Sequence, residues 1–118
     1  MKRYTGTLTI FLFISFAFSQ TQLGSDIDGE AANDFFGNSV SMNSAGDRVA
    51  IGAPYNDGTG SYAGHVRVYE YSNSSWTQIG SDIDGEAAGD RSGRSVSMNS
   101  AGDRVAIGAW GNDGTDGM

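Results

Sequence analysis

A near-duplication narrows what this chain can fold into more than any other feature. Residues 22–62 align without gaps on residues 78–118, Gln22 on Gln78, and 31 of the 41 aligned positions are identical. A repeat 56 residues long is the size of one small supersecondary unit, which cannot hide its apolar surface alone and has to stack on a sibling. Helical solenoids are excluded, because no apolar rhythm of 3.6 residues runs through either copy. The rhythm is two. Ser39-Val40-Ser41-Met42 and Arg48-Val49-Ala50-Ile51 alternate small or polar residues with larger apolar ones, as a strand with two differently packed faces requires.

The rest of the period supplies turns and two more strands. Asn43-Ser44-Ala45-Gly46-Asp47 is a short hairpin connection, rich in residues that tolerate positive φ. Pro54 stops strand pairing, and the loop over residues 55–64 holds the turn formers Asn56-Asp57-Gly58 and Gly60. A third strand is expected over the β-branched and aromatic run His65-Val66-Arg67-Val68-Tyr69-Glu70-Tyr71, and a fourth over residues 76–83 after the turn Ser72-Asn73-Ser74-Ser75. The expected fold class is all-β, with antiparallel four-stranded blades of a β-propeller, of which about one and a half blades are present. The expected divisions are a signal peptide over residues 1–19, an orphan fourth strand and loop over 20–34, blade 1 over 35–90 and a partial blade 2 over 91–118.

Composition then removes function classes. Lys2 and Arg3 precede an apolar run from Leu8 to Phe18, and the small residues Ala17 and Ser19 fit a cleavage site before Gln20. The run is shorter than the roughly 20 residues that cross a bilayer, so export followed by cleavage is expected, with no membrane span afterwards and a secreted or cell-surface location. Beyond the leader, five basic residues face fourteen acidic ones. Such a surface repels nucleic-acid phosphate and anionic lipid. There are no cysteines and a single histidine, His65, which removes disulfide frameworks, thiolate metal sites and most of the raw material for imidazole-based catalysis.

The residues Phe36-Gly37, Ser39-Val40 and Ile51-Gly52-Ala53-Pro54 resemble the FG-GAP motif of integrin α-subunit propellers and many secreted bacterial proteins. The resemblance covers essentially all of the chain after the leader. It implies a seven-bladed propeller that binds partners through loops on one rim, with Phe36 wedged between sheets and Gly37 and Gly52 allowing close backbone approach. It also implies, as partners, the missing C-terminal blades of the same propeller. The second copy departs from the pattern, with Arg91-Ser92 in place of Phe35-Phe36 and Trp110 in place of Pro54. Several family members carry a calcium loop between the first two strands of a blade. Here that connection, residues 43–47 and again 99–103, has one carboxylate, a poor match to the six to eight oxygens that calcium takes.

The functional expectation is an extracellular binding or adhesion scaffold for protein or glycan partners, not an enzyme. Alternatives are part of a carbohydrate-active propeller enzyme, using paired carboxylates across a funnel, and a calcium-binding structural repeat. No catalytic, cofactor-binding or metal residue is assigned, and no cofactor is expected, calcium being the one candidate ion. The acidic residues Asp26, Asp28, Glu30 and Asp34, repeated as Asp82, Asp84, Glu86 and Asp90, read as a solvated strand end and blade-to-blade loop. His65 reads as a rim or packing residue. Tyr69, Tyr71 and Trp76 read as packing between blades.

Overall fold

The computed structural model describes residues 19–114 and, within the leader, only the isolated positions Gly6, Ile10, Leu12 and Ile14. The expected signal peptide therefore lies almost wholly outside the described residues. Among those described there is no helix; seven strands form two sheets. The first sheet runs β1 (Ser39–Met42), β2 (Arg48–Ala53), β3 (His65–Ser72), β4 (Ser75–Gln78), each antiparallel to the next. A short β5 (Ile83–Asp84) also pairs with β3, at its beginning. The second sheet is the hairpin β6 (Ser92–Met98) and β7 (Val105–Ala109). The architecture is that of partial propeller blades, and among the described residues no closed barrel forms.

Strands one to three fall where period-two alternation and turn residues put them. The expected fourth strand is broken: Gln78 pairs with Tyr69 but Ile83 pairs with Val66, so two extra residues bulge out between β4 and β5. Gly80 at φ 74° takes the left-handed backbone that the bulge needs. The β3–β4 turn is a two-residue hairpin with both Asn73 and Ser74 at positive φ, the geometry whose twist matches antiparallel strands.

Registers assign the two faces of blade 1. Val49 stands opposite Tyr69, Ile51 opposite Arg67 and Ala53 opposite His65, and directly opposed residues share a face. Val49, Ile51 and Tyr69 are the core of that face, with Ile27, Phe36 and Trp76 packed on them. Residues 22–29 thus form no strand; they lie over the sheet, delivering Ile27 to the core, while the Leu23 carbonyl accepts a 2.9 Å hydrogen bond from the Trp76 indole. Phe36 meets Tyr69 edge-on at 6.5 Å between centroids.

The opposite face carries small residues, Ser39, Ser41, Ala50, Gly52 and Val66, and the second sheet stacks on it. Ser39 Oγ donates to the Gly93 carbonyl at 2.7 Å, and Ser41 Oγ accepts from the Met98 amide at 2.9 Å. A Cβ on Gly52 would overlap the Gly93 carbonyl oxygen, and one on Gly93 would press on the Gly52 Cα and His65 carbonyl. Bare backbone is what lets the blades close. Stacking is read directly from exposure: Val40 and Met42 are 63% and 51% exposed on blade 1, whereas their equivalents Val96 and Met98, facing blade 1, are half-buried.

Phe36 packs on the core beneath the covering segment rather than between the two sheets as expected, and its replacement Ser92 has a distinct job. Ser92 is buried, forms a parallel bridge with Gly64 and donates its amide to the Ala63 carbonyl at 2.9 Å. A benzyl group there would collide with the loop of blade 1. The second copy therefore starts its first strand earlier, at Ser92 instead of the position equivalent to Ser39.

Candidate functional site: an aromatic rim cleft and its acidic supports

Positions at which the two copies differ converge in space. Asn33, Phe35, Tyr55, Tyr62 and Arg91 line one open cleft of about 290 Å³, and Trp110 joins it through Arg91. Phe35 packs edge-on against Tyr55 at 4.8 Å, and Tyr55 against Tyr62 at 5.2 Å. The Arg91 guanidinium lies 4.7 Å from the Trp110 ring centre and 5.6 Å from that of Tyr55, within cation–π range. Phe35, Tyr62 and Trp110 are 58%, 49% and 64% exposed. Large aromatic groups left this open are not serving the core.

Backbone strain singles out the same place. Among the described residues, six non-glycine residues have positive φ; two form the Asn73-Ser74 turn, and the other four are Asn33 (67°), Phe35 (57°), Tyr62 (56°) and Arg91 (54°). Left-handed backbone at a bulky residue costs on the order of 1 kcal/mol each, and such residues gather at binding sites where the surroundings over-determine them. Arg91 Nε is in addition buried without a hydrogen-bond partner among the described residues.

Acidic residues hold the loops that display these rings. Asn56 is buried; its amide donates to Glu30 Oε2 at 3.1 Å and Asp34 Oδ2 at 2.7 Å, while its oxygen accepts from the Gly58 amide at 2.8 Å. The second copy repeats the clasp: Asn112 donates to Glu86 at 3.2 Å and Asp90 at 3.1 Å and accepts from Gly114 at 3.0 Å. The Asp57 carboxylate then takes the Tyr62 amide at 2.8 Å, fixing the far end of the loop. Asp34 and Asp90 are buried, so the expectation that the acidic positions are solvated is corrected for this pair. Their burial is tolerated because each carboxylate has a donor.

The hairpin turns expected to be poor calcium loops are filled internally. Asn43 Oδ1 accepts from the amides of Asp47 and Arg48 at 3.1 and 2.9 Å, and its Nδ2 donates to Asp47 Oδ1 at 2.7 Å. Asn99 and Asp103 repeat the arrangement. The lone carboxylate in each turn is committed to the turn itself.

A second polar group sits at the β3–β5 end of blade 1. Arg67 holds Asp82 through two 2.8 Å hydrogen bonds and reaches Glu30 at 3.2 Å; Gln78 adds a 2.7 Å bond to Asp82. The hydrogen-bonded guanidinium holds the Asp82 carboxyl down at about 2 against partial desolvation, and Asp82 in turn raises Arg67. His65 is buried beside them, a packing position rather than a rim one. Tyr69 is in the core and Tyr71 packs on its cross-strand partner Trp76 at 5.2 Å, so these rings pack within blade 1 and not between the blades. The rim cleft went unrecognised in the sequence although its signal was there, in the mismatches between copies.

Fold and cleft together define a class, a stacked β-blade repeat displaying a variable loop rim. The family comparison agrees: residues 25–69 match the FG-GAP repeat, a stretch that runs from the covering segment through β1 and β2 to Tyr69 in the core. Over that stretch the chain is similar to an FG-GAP repeat. No curated protein matches it. No helix among the described residues is long and apolar enough to cross a membrane.

Proposed function

We infer that the chain is an extracellular, non-enzymatic binding scaffold that presents the cleft of Phe35, Tyr55, Tyr62, Arg91 and Trp110 to a protein or glycan partner. The observation that carries this reading is the coincidence of three properties at one place. The copies diverge there, the rings are exposed there, and the backbone is strained there. Stacked blades supply rigidity, so the cleft is pre-organised and a partner need not order it. Exposed aromatic rings beside a guanidinium suit the apolar face and hydroxyls of a sugar, or an aromatic or acidic side chain of a protein. The leader and the FG-GAP repeat support an extracellular location and a propeller context.

The test is a binding screen of the full chain against glycan and extracellular-protein arrays, repeated with Tyr62→Ala and Trp110→Ala. Tyr62 and Trp110 are 49% and 64% exposed, so the variants keep the fold. Hits lost in both variants support the reading. Hits that survive both, or hydrolysis of a polysaccharide by the unaltered chain, refute it.

A further inference from the structure

One buried side chain in blade 1 has no partner for either of its polar atoms. His65 opens the central strand β3, paired with Ala53 of β2 on one side and Asp84 of β5 on the other. It is 1% exposed, and neither Nδ1 nor Nε2 makes a hydrogen bond among the described residues. An imidazole buried this way costs free energy unless something satisfies it. Strand geometry aims the ring at carboxylates: Asp84 is its cross-strand neighbour, and Arg67, two residues on and so on the same face, brings in Asp82 and Glu30.

The spacing in this cluster is too long for hydrogen bonds and suited to a shared cation. His65 Nδ1 lies 3.7 Å from Asp82 Oδ2, 3.8 Å from Glu30 Oε2 and 3.9 Å from Asp84 Oδ1. Nitrogen and oxygen ligands bonded to zinc at about 2.0–2.2 Å stand about 3.4 Å apart along a tetrahedral edge, so the imidazole needs to close on each carboxylate by only a few tenths of an ångström; Asp82 Oδ2 and Glu30 Oε2, which take Arg67 Nη2 at 2.8 and 3.2 Å, must turn from the guanidinium to the ion. Glu30, His65 and Asp82 each offer a ligand atom, all within 4.8 Å of one another. Charge points the same way. Three carboxylates face the single guanidinium of Arg67, leaving two negative charges, the complement of a dication.

We propose that Glu30, His65, Asp82 and Asp84 bind a divalent transition cation of the zinc type. The imidazole selects such an ion over calcium, which takes oxygen ligands. The site joins the covering segment at Glu30 to β3 and β5, in a chain with no cysteines, and so acts as a structural staple. It is distinct from the hairpin turns at residues 43–47 and 99–103, and it does not depend on the rim cleft's having a partner.

Isothermal titration of the chelator-stripped full chain with Zn²⁺ tests the proposal, alongside the imidazole ¹H–¹⁵N spectrum, which in a chain with one histidine reports His65 alone. One saturable Zn²⁺ equivalent, a Zn²⁺-dependent shift of the Nδ1 resonance and no competition by Ca²⁺ are expected. Loss of even a supporting partner of a metal ligand costs about 10- to 100-fold in affinity, so His65→Gln and Asp84→Asn should each weaken binding at least tenfold. Asp84 is half-exposed and its side chain makes no hydrogen bond among the described residues, so Asp84→Asn keeps the fold even if His65→Gln does not. The proposal is overturned if Zn²⁺ does not bind saturably, if Asp84→Asn binds it as tightly as the unaltered chain, or if His65 is an imidazolium whose spectrum Zn²⁺ leaves unchanged.

Discussion

Replacing Gly52 with Ala, and Gly108 with Ala as its counterpart, isolates the contact that holds one blade on the next. The two glycines occupy the same position in the repeat, in the identical local sequence Arg-Val-Ala-Ile-Gly-Ala, and neither has positive φ. Effects on the unfolded chain therefore cancel between them. At Gly52 the added methyl would overlap the Gly93 carbonyl carbon and oxygen, which are backbone, and would also crowd Ser39 Oγ. At Gly108 its nearest neighbour is Ser95 Oγ, the end of a side chain that can rotate away. To restore a normal contact at Gly52 the second sheet must retreat by roughly 1 Å, and overpacking of this kind costs about 1–3 kcal/mol. The retreat also breaks the Ser39 to Gly93 hydrogen bond, worth about 1 kcal/mol. Gly52→Ala is expected to destabilise by about 3 kcal/mol and Gly108→Ala by under about 1 kcal/mol. Urea unfolding followed by tryptophan fluorescence measures both midpoints, with Trp76 in blade 1 and Trp110 beyond β7 as reporters. Equal midpoints for the two variants would refute blade stacking through Gly52 and Gly93.

Three further outcomes follow from the geometry. Asn56→Ala strips donors from Glu30 and the buried Asp34 and should cost about 2–3 kcal/mol, against about 1 kcal/mol or less for exposed Asn112→Ala in the second clasp; paired urea melts compare them. Phe36→Ser, which gives the first copy the residue of the second, should cost about 2–3 kcal/mol by opening space over Val49, Ile51 and Tyr69, read by the same melts. Because the Asp82 carboxyl is depressed in the folded chain from 3.8 to about 2, its contribution is complete above the unfolded value and disappears as pH falls through the folded one. Asp82 is 28% exposed, which trims that contribution to about 1–2 kcal/mol. Melts between about pH 5 and pH 2 should show the loss, and Asp82→Asn should flatten it.

Most of the fold was legible because it is local. Period two over residues 39–42 and 48–51, the turn from Asn43 to Asp47 between them and Pro54 after Ala53 mark the first two strands nearly to the residue. What could not be read was set by contacts distant in sequence. Residues 22–29 and 78–85 have almost the same sequence, yet only the later segment supplies strand residues, Gln78 at the end of β4 and Ile83 and Asp84 in β5, because β3 lies beside it to pair with. The earlier segment has no such neighbour and covers the core face with Ile27 instead. Likewise the acidic positions look alike along the chain, and only folding separates Asp34 and Asp90, clasped by asparagines, from Asp82, held by Arg67.

Duplication is therefore a poor guide to equivalence but a good guide to division of labour. Positions kept identical in both copies are the ones each blade needs for itself or for its neighbour: the hairpin turn Asn43 to Asp47, the clasp of Glu30, Asp34 and Asn56, and the small face of Ser39, Ser41, Ala50 and Gly52. Positions free of those duties can change without cost to stacking, and they have changed where the loops meet at the rim. Arg91 illustrates the consequence. It keeps the left-handed backbone of its counterpart Phe35, at 54° against 57°, so the local fold is preserved while the side chain switches from a ring that packs on Tyr55 to a cation held between Tyr55 and Trp110. A backbone conformation that is costly for both residues and retained in both is explained by where it aims the side chain, and in both copies it aims it into the cleft.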